Sequence, residues 1–141
     1  MTPRLAPARA SDTGWLARIL SDGRGLRTGH ADRRALRDLI RQGAVITARG
    51  WVAPVGFLAR SGDTIHALYV SPSARGRGIG ERLIEHAKDG RDRLDLWTAQ
   101  GNEGARRFYA RHGFYVSGFS AGSANDEGAP DVRMTWVRDA A

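Results

Sequence analysis

The chain reads as an α/β protein of one domain, built on a mixed, mostly antiparallel central sheet flanked by about four helices. Three observations predict this. Apolar residues switch between strand and helix periodicity in the order β, α, α, β, β, β, α, β, α, β, β. Three of the strand-like stretches follow one another between residues 44 and 70 across short turns, which implies an antiparallel meander. The last of these and the next strand are separated by a helix-length segment, which sets that pair parallel or nearly so. The 141 residues suffice for one domain spanning 1–141, and 41% hydrophobic residues can fill its core.

Arg4 to Pro7 is a short first strand. Ser11, Asp12 and Thr13 offer N-cap oxygens to a helix whose Trp15, Leu16, Ile19 and Leu20 recur at helical spacing. Residues 21–29, rich in Gly and Arg, are expected to form a loop before a second helix over 31–42, with Ala35, Leu36, Leu39 and Ile40 on one face and Gly43 as its stop. Residues 44–49 and 55–60 are strands. The turn Ser61-Gly62-Asp63 leads into a third, Ile65 to Val70, which Pro72 ends because proline has no N–H for the ladder. A helix follows with Ile79, Leu83, Ile84 and Ala87 as its buried stripe, then a strand over 94–98. Asn102 caps a further helix carrying Ala105, Phe108, Tyr109 and His112 on one face, and Gly113 ends it. Strands over 114–117 and 132–137 close the chain around a polar loop.

The segment Ser71-Pro-Ser-Ala-Arg75-Gly-Arg-Gly-Ile-Gly80 lies between a strand and a helix. Glycines let backbone amides approach a ligand closely, and the helix behind them directs unpaired N–H groups and its positive dipole end at the loop. Arg75, Arg77 and Arg82 add full charges, so the segment describes an anion cradle. It is not the dinucleotide fingerprint G-x-G-x-x-G, since Glu81 and Leu83 occupy the positions where the third glycine is required. Nor is it a P-loop, which needs Gly-Lys-Ser/Thr, while the only lysine of the chain is Lys88.

The pattern Arg75-x-x-Gly78-x-Gly80 after a strand ending Leu-Tyr-Val-x-Pro resembles the acetyl-CoA motif of the GCN5-related N-acetyltransferase (GNAT) family. Downstream, Asn-x-x-Ala-x-x-Phe-Tyr-x-x-x-Gly-Phe at 102–114 resembles that family's second signature, and the element order agrees over essentially the whole chain. The resemblance implies a GNAT-like sheet and transfer of the acetyl group of acetyl-CoA to a primary amine of a small molecule or peptide, by direct attack and with no metal. It implies that Leu68, Tyr69 and Val70 pair with the pantetheine arm through their backbone, and that Arg75, Gly76, Arg77, Gly78, Ile79 and Gly80 hold the pyrophosphate. Asn102 and Phe108 would face the pantetheine, and Tyr109 would give its proton to the departing sulfur. The alternatives are that Asn102 is only a helix cap and Tyr109 only a half-buried aromatic on a helix face. Many family members place a glutamate on a central strand as general base, but residues 55–70 hold none. His66 is the best-placed titratable group there, on the face of Leu68 and Val70. His30, His112 and water are the alternatives. The loops at 21–30 and 118–131, the latter with Asp126, Glu127 and Asp131, are expected to shape the acceptor site.

Composition narrows the partners. The net charge is +7, yet arginine supplies 21 of the 22 basic residues, spread through every element, and no stacking or helix-turn-helix motif accompanies them. Nucleic acid is therefore not the expected partner. With no cysteine, thiolate chemistry and disulfides are excluded. No apolar run approaches the ~20 residues that span a bilayer, and the first residues lack a secretory core, so a cytoplasmic protein is expected, as monomer or homodimer. A CoA-binding sensor without catalysis is the alternative reading.

Overall fold

A computed structural model describes residues 2–24, 30–120 and 130–139. Its elements are β1 (Arg4–Pro7), α1 (Thr13–Arg24), α2 (His30–Arg41), β2 (Val45–Arg49), β3 (Pro54–Ser61), β4 (Thr64–Val70), α3 (Ile79–Lys88), β5 (Arg93–Ala99), α4 (Glu103–Arg111), β6 (Tyr115–Ser120) and β7 (Asp131–Val137). Short 3-10 turns at Ala10–Asp12 and Pro72–Ala74 precede α1 and follow β4. The strands form one seven-stranded sheet in the order β1-β2-β3-β4-β5-β7-β6. The pairs β1–β2, β2–β3, β5–β7 and β6–β7 are antiparallel, and β4 and β5 are parallel, with Thr64 set against Asp95. The chain's last strand thus lies between β5 and β6. The predicted element order holds, with two extensions: α1 runs on to Arg24 where a loop from residue 21 was expected, and β6 runs to Ser120 where a strand ending at 117 was expected. Burial of Leu16, Ile19 and Leu20 outweighs the ~1 kcal/mol by which an interior glycine such as Gly23 disfavours the last turn.

The fold comprises two compact units, the first of Met1–Ser61 and Ala67–Ala87, the second of Gly62–His66 and Lys88–Ala141. In the first, Leu16, Ala17, Ile19 and Leu20 of α1 and Leu36 and Ile40 of α2 pack on Val45, Phe57 and Ala59, with Ala67 and Tyr69 at the margin. Helix α3 buries Ile79, Leu83, Ile84 and Ala87, the stripe its sequence predicts. Phe57, Leu58 and Ala59 are all buried, so β3 is covered on both faces. A β-carbon on Gly56 would lie 3.1 Å from the Tyr69 carbonyl oxygen and 3.4 Å from Ile79 Cγ2, so β3 carries no side chain where β4 and the start of α3 come closest. Asp12, 4% exposed, anchors the entry to α1: it accepts from the Arg9 backbone amide at 2.8 Å and from both terminal nitrogens of Arg49 at 2.9 and 3.1 Å.

In the second unit, register sets Leu94 opposite Trp136 and Leu96 opposite Met134, giving one buried face. On the other face Asp95 lies opposite Thr135. The Asp95 carboxylate accepts from Thr135 Oγ1 at 2.7 Å and from Arg93, and Arg133 lies 3.2 Å away.

Candidate functional site

The cradle opens where β4 ends. Ser71 N–H donates to the Val55 carbonyl at 2.7 Å, fixing the exit from the strand, and the 3-10 turn closes with Ala74 N–H on the Ser71 carbonyl at 2.9 Å. Gly76 and Gly78 follow with φ of +78° and +75°, a left-handed conformation that side chains rarely adopt. An added β-carbon at either would meet nothing within 4 Å, so their glycines are required by backbone conformation and not by crowding within the chain. Arg82 N–H donates to the Gly78 carbonyl at 3.0 Å, the first turn of α3. The amides of Ile79, Gly80 and Glu81 therefore precede the first intrahelical bond, as an anion-binding helix start requires. Ile79 is 2% exposed: its side chain belongs to the core, and only its backbone can serve a ligand.

The basic side chains around the loop have separate destinations. Arg75 donates through Nε to the Val70 carbonyl at 3.2 Å and so folds over the end of β4. Arg77 is exposed. Arg82, expected among the charges of the cradle, instead donates to the Pro3 carbonyl and ties α3 to the segment before β1. The Pro3 carbonyl, just before the first strand, gives the guanidinium an acceptor that a loop of N–H donors does not offer. Upstream, Leu68, Tyr69 and Val70 are half-buried, and the Tyr69 ring lies 6.0 Å from that of Phe57. These residues, the loop and the start of α3 lie together in the first unit.

The second predicted passage is held in the second unit. Asn102 caps α4 as its sequence predicts, its Oδ1 accepting from the Ala105 amide at 3.1 Å. That use leaves its NH₂ group as a donor for other work. Tyr109 is 8% exposed. Its ring meets Phe108 edge-on at 5.3 Å and Phe114 at 5.5 Å, and Phe108 in turn lies 4.7 Å from the His112 ring. His66, also in this unit, is exposed on β4, two residues beyond the pairing of Thr64 with Asp95. A groove of about 540 Å³ between α4 and β6, lined by Arg106, Ala110, Phe114, Val116 and Met134 among others, contains none of the predicted residues.

Asp126, Glu127 and residues 25–29 lie outside the described residues; of the loop expected at 21–30, residues 21–24 belong to α1 and His30 opens α2, while Asp131 begins β7. Gly56 was not singled out from sequence, although an isolated glycine inside a strand signals a close backbone approach. Among the described residues no cluster of His, Asp and Glu is arranged to hold a metal, and no helix is long and apolar enough to cross a membrane. The fit to a CoA pyrophosphate is favourable: glycines in the left-handed conformation, a helix start with open amides, and two arginines beside it.

A family model described as an acetyltransferase (GNAT) domain matches residues 44–116. The peptidyl-lysine N-acetyltransferase YjaB of Escherichia coli strain K12 is 38% identical over 104 residues, which cover 70% of this chain and 69% of that protein. The solution structure of apo-form YjaB from Escherichia coli matches with a TM-score of 0.75 and 28% identity, covering 99% of this chain and 100% of that one. Arabidopsis thaliana Naa50, solved in complex with the bisubstrate analogue CoA-Ac-MVNAL, shares the fold with a TM-score of 0.80 at 21% identity, covering 98% of this chain and 100% of its own. The chain belongs to the GNAT family. Its chemistry is the transfer of an acetyl group from acetyl-CoA to an amine.

Proposed function

We propose that this protein, acting as one catalytic domain, acetylates the side-chain amine of lysine in a peptide or protein. The observation that carries the choice of acceptor is the 38% identity to a peptidyl-lysine N-acetyltransferase over two-thirds of both chains. Acetyl-CoA supplies a thioester already activated toward amines. On this reading the amides of Gly76 to Glu81 hold the pyrophosphate, with Arg75 and Arg77 contributing charge. The backbone of Leu68, Tyr69 and Val70 aligns the pantetheine arm, and the Asn102 NH₂ group and Phe108 serve the same arm. A backbone N–H near Leu68 or Val70 stabilises the charge that develops on the carbonyl oxygen. Tyr109 gives its proton to the leaving sulfur, and His66, exposed to solvent, takes the proton of the attacking amine.

Thiol release from acetyl-CoA, followed with a lysine peptide and with the same peptide carrying arginine in its place, tests the reading. Release is expected to accelerate with the lysine peptide alone. Binding of CoA without acceleration by any peptide or small amine would refute catalysis and favour the sensor reading.

A further inference from the structure

We propose that Lys88 is a positioning residue for Tyr109, acting through the C-terminal end of α4; the proposal rests on the reading of Tyr109 as proton donor. The chain uses arginine for every other basic side chain, so a lysine at this one place calls for a local reason. Lys88 Nζ donates to the His112 carbonyl at 2.6 Å and lies 5.1 Å from the centre of the Trp136 ring. His112 is the C-cap of α4, and its carbonyl is one of those a helix leaves without an internal partner. A cation there satisfies the carbonyl and opposes the negative end of the helix dipole.

The surroundings leave little freedom. A β-carbon on Gly113 would sit 3.1 Å from Trp136 Cδ1, so the indole edge presses on the residue after the cap. Arg138 lies 5.2 Å from the same ring and donates to the Lys88 carbonyl at 2.7 Å, which holds the backbone of Lys88 in place. A compact ammonium with three donors can sit over an indole and still reach one carbonyl. A planar guanidinium of greater length prefers to stack and presents a fork where a single acceptor is available.

The cap is linked to Tyr109 in two ways. The Tyr109 carbonyl accepts from the amides of His112 and Phe114, both at 3.0 Å, so the turn that Lys88 fixes closes on the backbone of Tyr109 itself. The His112 ring also lies against Phe108, which meets Tyr109 edge-on. Releasing the His112 carbonyl lets the cap rotate, and both links carry that rotation to the phenol.

A double-mutant cycle tests this, with far-UV circular dichroism confirming that each variant is folded. Lys88→Met is expected to lower kcat by roughly tenfold with the KM for acetyl-CoA unchanged, and Lys88→Arg to restore only part of the loss. In a Tyr109→Phe background, Lys88→Met is expected to change kcat by less than about twofold, because its effect is exerted through the missing hydroxyl. Multiplicative losses would show a general structural role and overturn the proposal, as would wild-type kcat in Lys88→Met. If Lys88→Met does not fold, the same comparison is made with Lys88→Arg. Unchanged kcat in Tyr109→Phe alone would instead overturn the proton-donor reading, and the proposal with it.

Discussion

Gly78 separates two reasons for a glycine that a sequence cannot tell apart. Read as a motif, it makes room for a ligand; in the fold its φ of +75° demands it even with open space around the β-carbon. Gly78→Ala is therefore expected to weaken acetyl-CoA binding by disturbing the loop, at a strain of about 1 kcal/mol, with the affinity read by calorimetry. Asn102 poses the same problem with different chemistry. Asn102→Asp keeps the oxygen that caps α4 and loses the NH₂ group, so the melting temperature should hold while the Kd for acetyl-CoA rises. Asn102→Ala should lose both, with about 1 kcal/mol of stability. For Tyr109, Phe removes only the hydroxyl; kcat should fall by roughly 10²-fold or more with cofactor affinity intact, measured by steady-state kinetics and calorimetry.

Among the elements, those with a strong local signal were legible. The period-3.6 stripe of α3 and the Asn102 cap of α4 are both as read, because each depends on residues within a few positions of one another. Helix α1 outran its predicted end because packing of Leu16 and Leu20 overrides a weak local preference against helix. The placement of β7 between β5 and β6 was not legible, since strand partners far apart in sequence leave no periodic trace. The destination of Arg82 was hidden for the same reason: its acceptor, the Pro3 carbonyl, lies 79 residues away. The candidate site was thus readable where a single segment builds it, as at Gly76 to Gly80, and unreadable where side chains answer to distant backbone.

At the scale of the whole molecule, each compact unit is pinned by a carboxylate held below its ordinary range. Burial pushes Asp12 upward, but hydrogen bonds from Arg49 and the Arg9 amide, with the charges of Arg49 and Arg9, outweigh it. Burial likewise pushes Asp95 upward, and the hydrogen bonds from Arg93 and Thr135 with the charges of Arg133 and Arg93 outweigh it. A carboxyl that ionises more readily folded than unfolded stabilises the fold above the unfolded value, near 3.9, and that stability is lost as pH falls through the folded value. Acid unfolding of the wild type should therefore steepen below about pH 4, and Asp95→Asn should flatten that limb when followed by tryptophan fluorescence. Asp12→Ala should cost roughly 3 kcal/mol at neutral pH in denaturant titration, since it strands the Arg49 guanidinium, whose side chain is 18% exposed.

The bond from Lys88 to the His112 carbonyl has a chemical consequence for a protein that works with acetyl-CoA. Thioesters acylate amines without any catalyst, and lysine-rich surfaces accumulate that damage. Here arginine, which does not react in this way, stands at every other Lys or Arg position, and the sole lysine nitrogen is engaged by a carbonyl at 2.6 Å and lies against an indole face. The protein offers its own donor almost no side chain to modify.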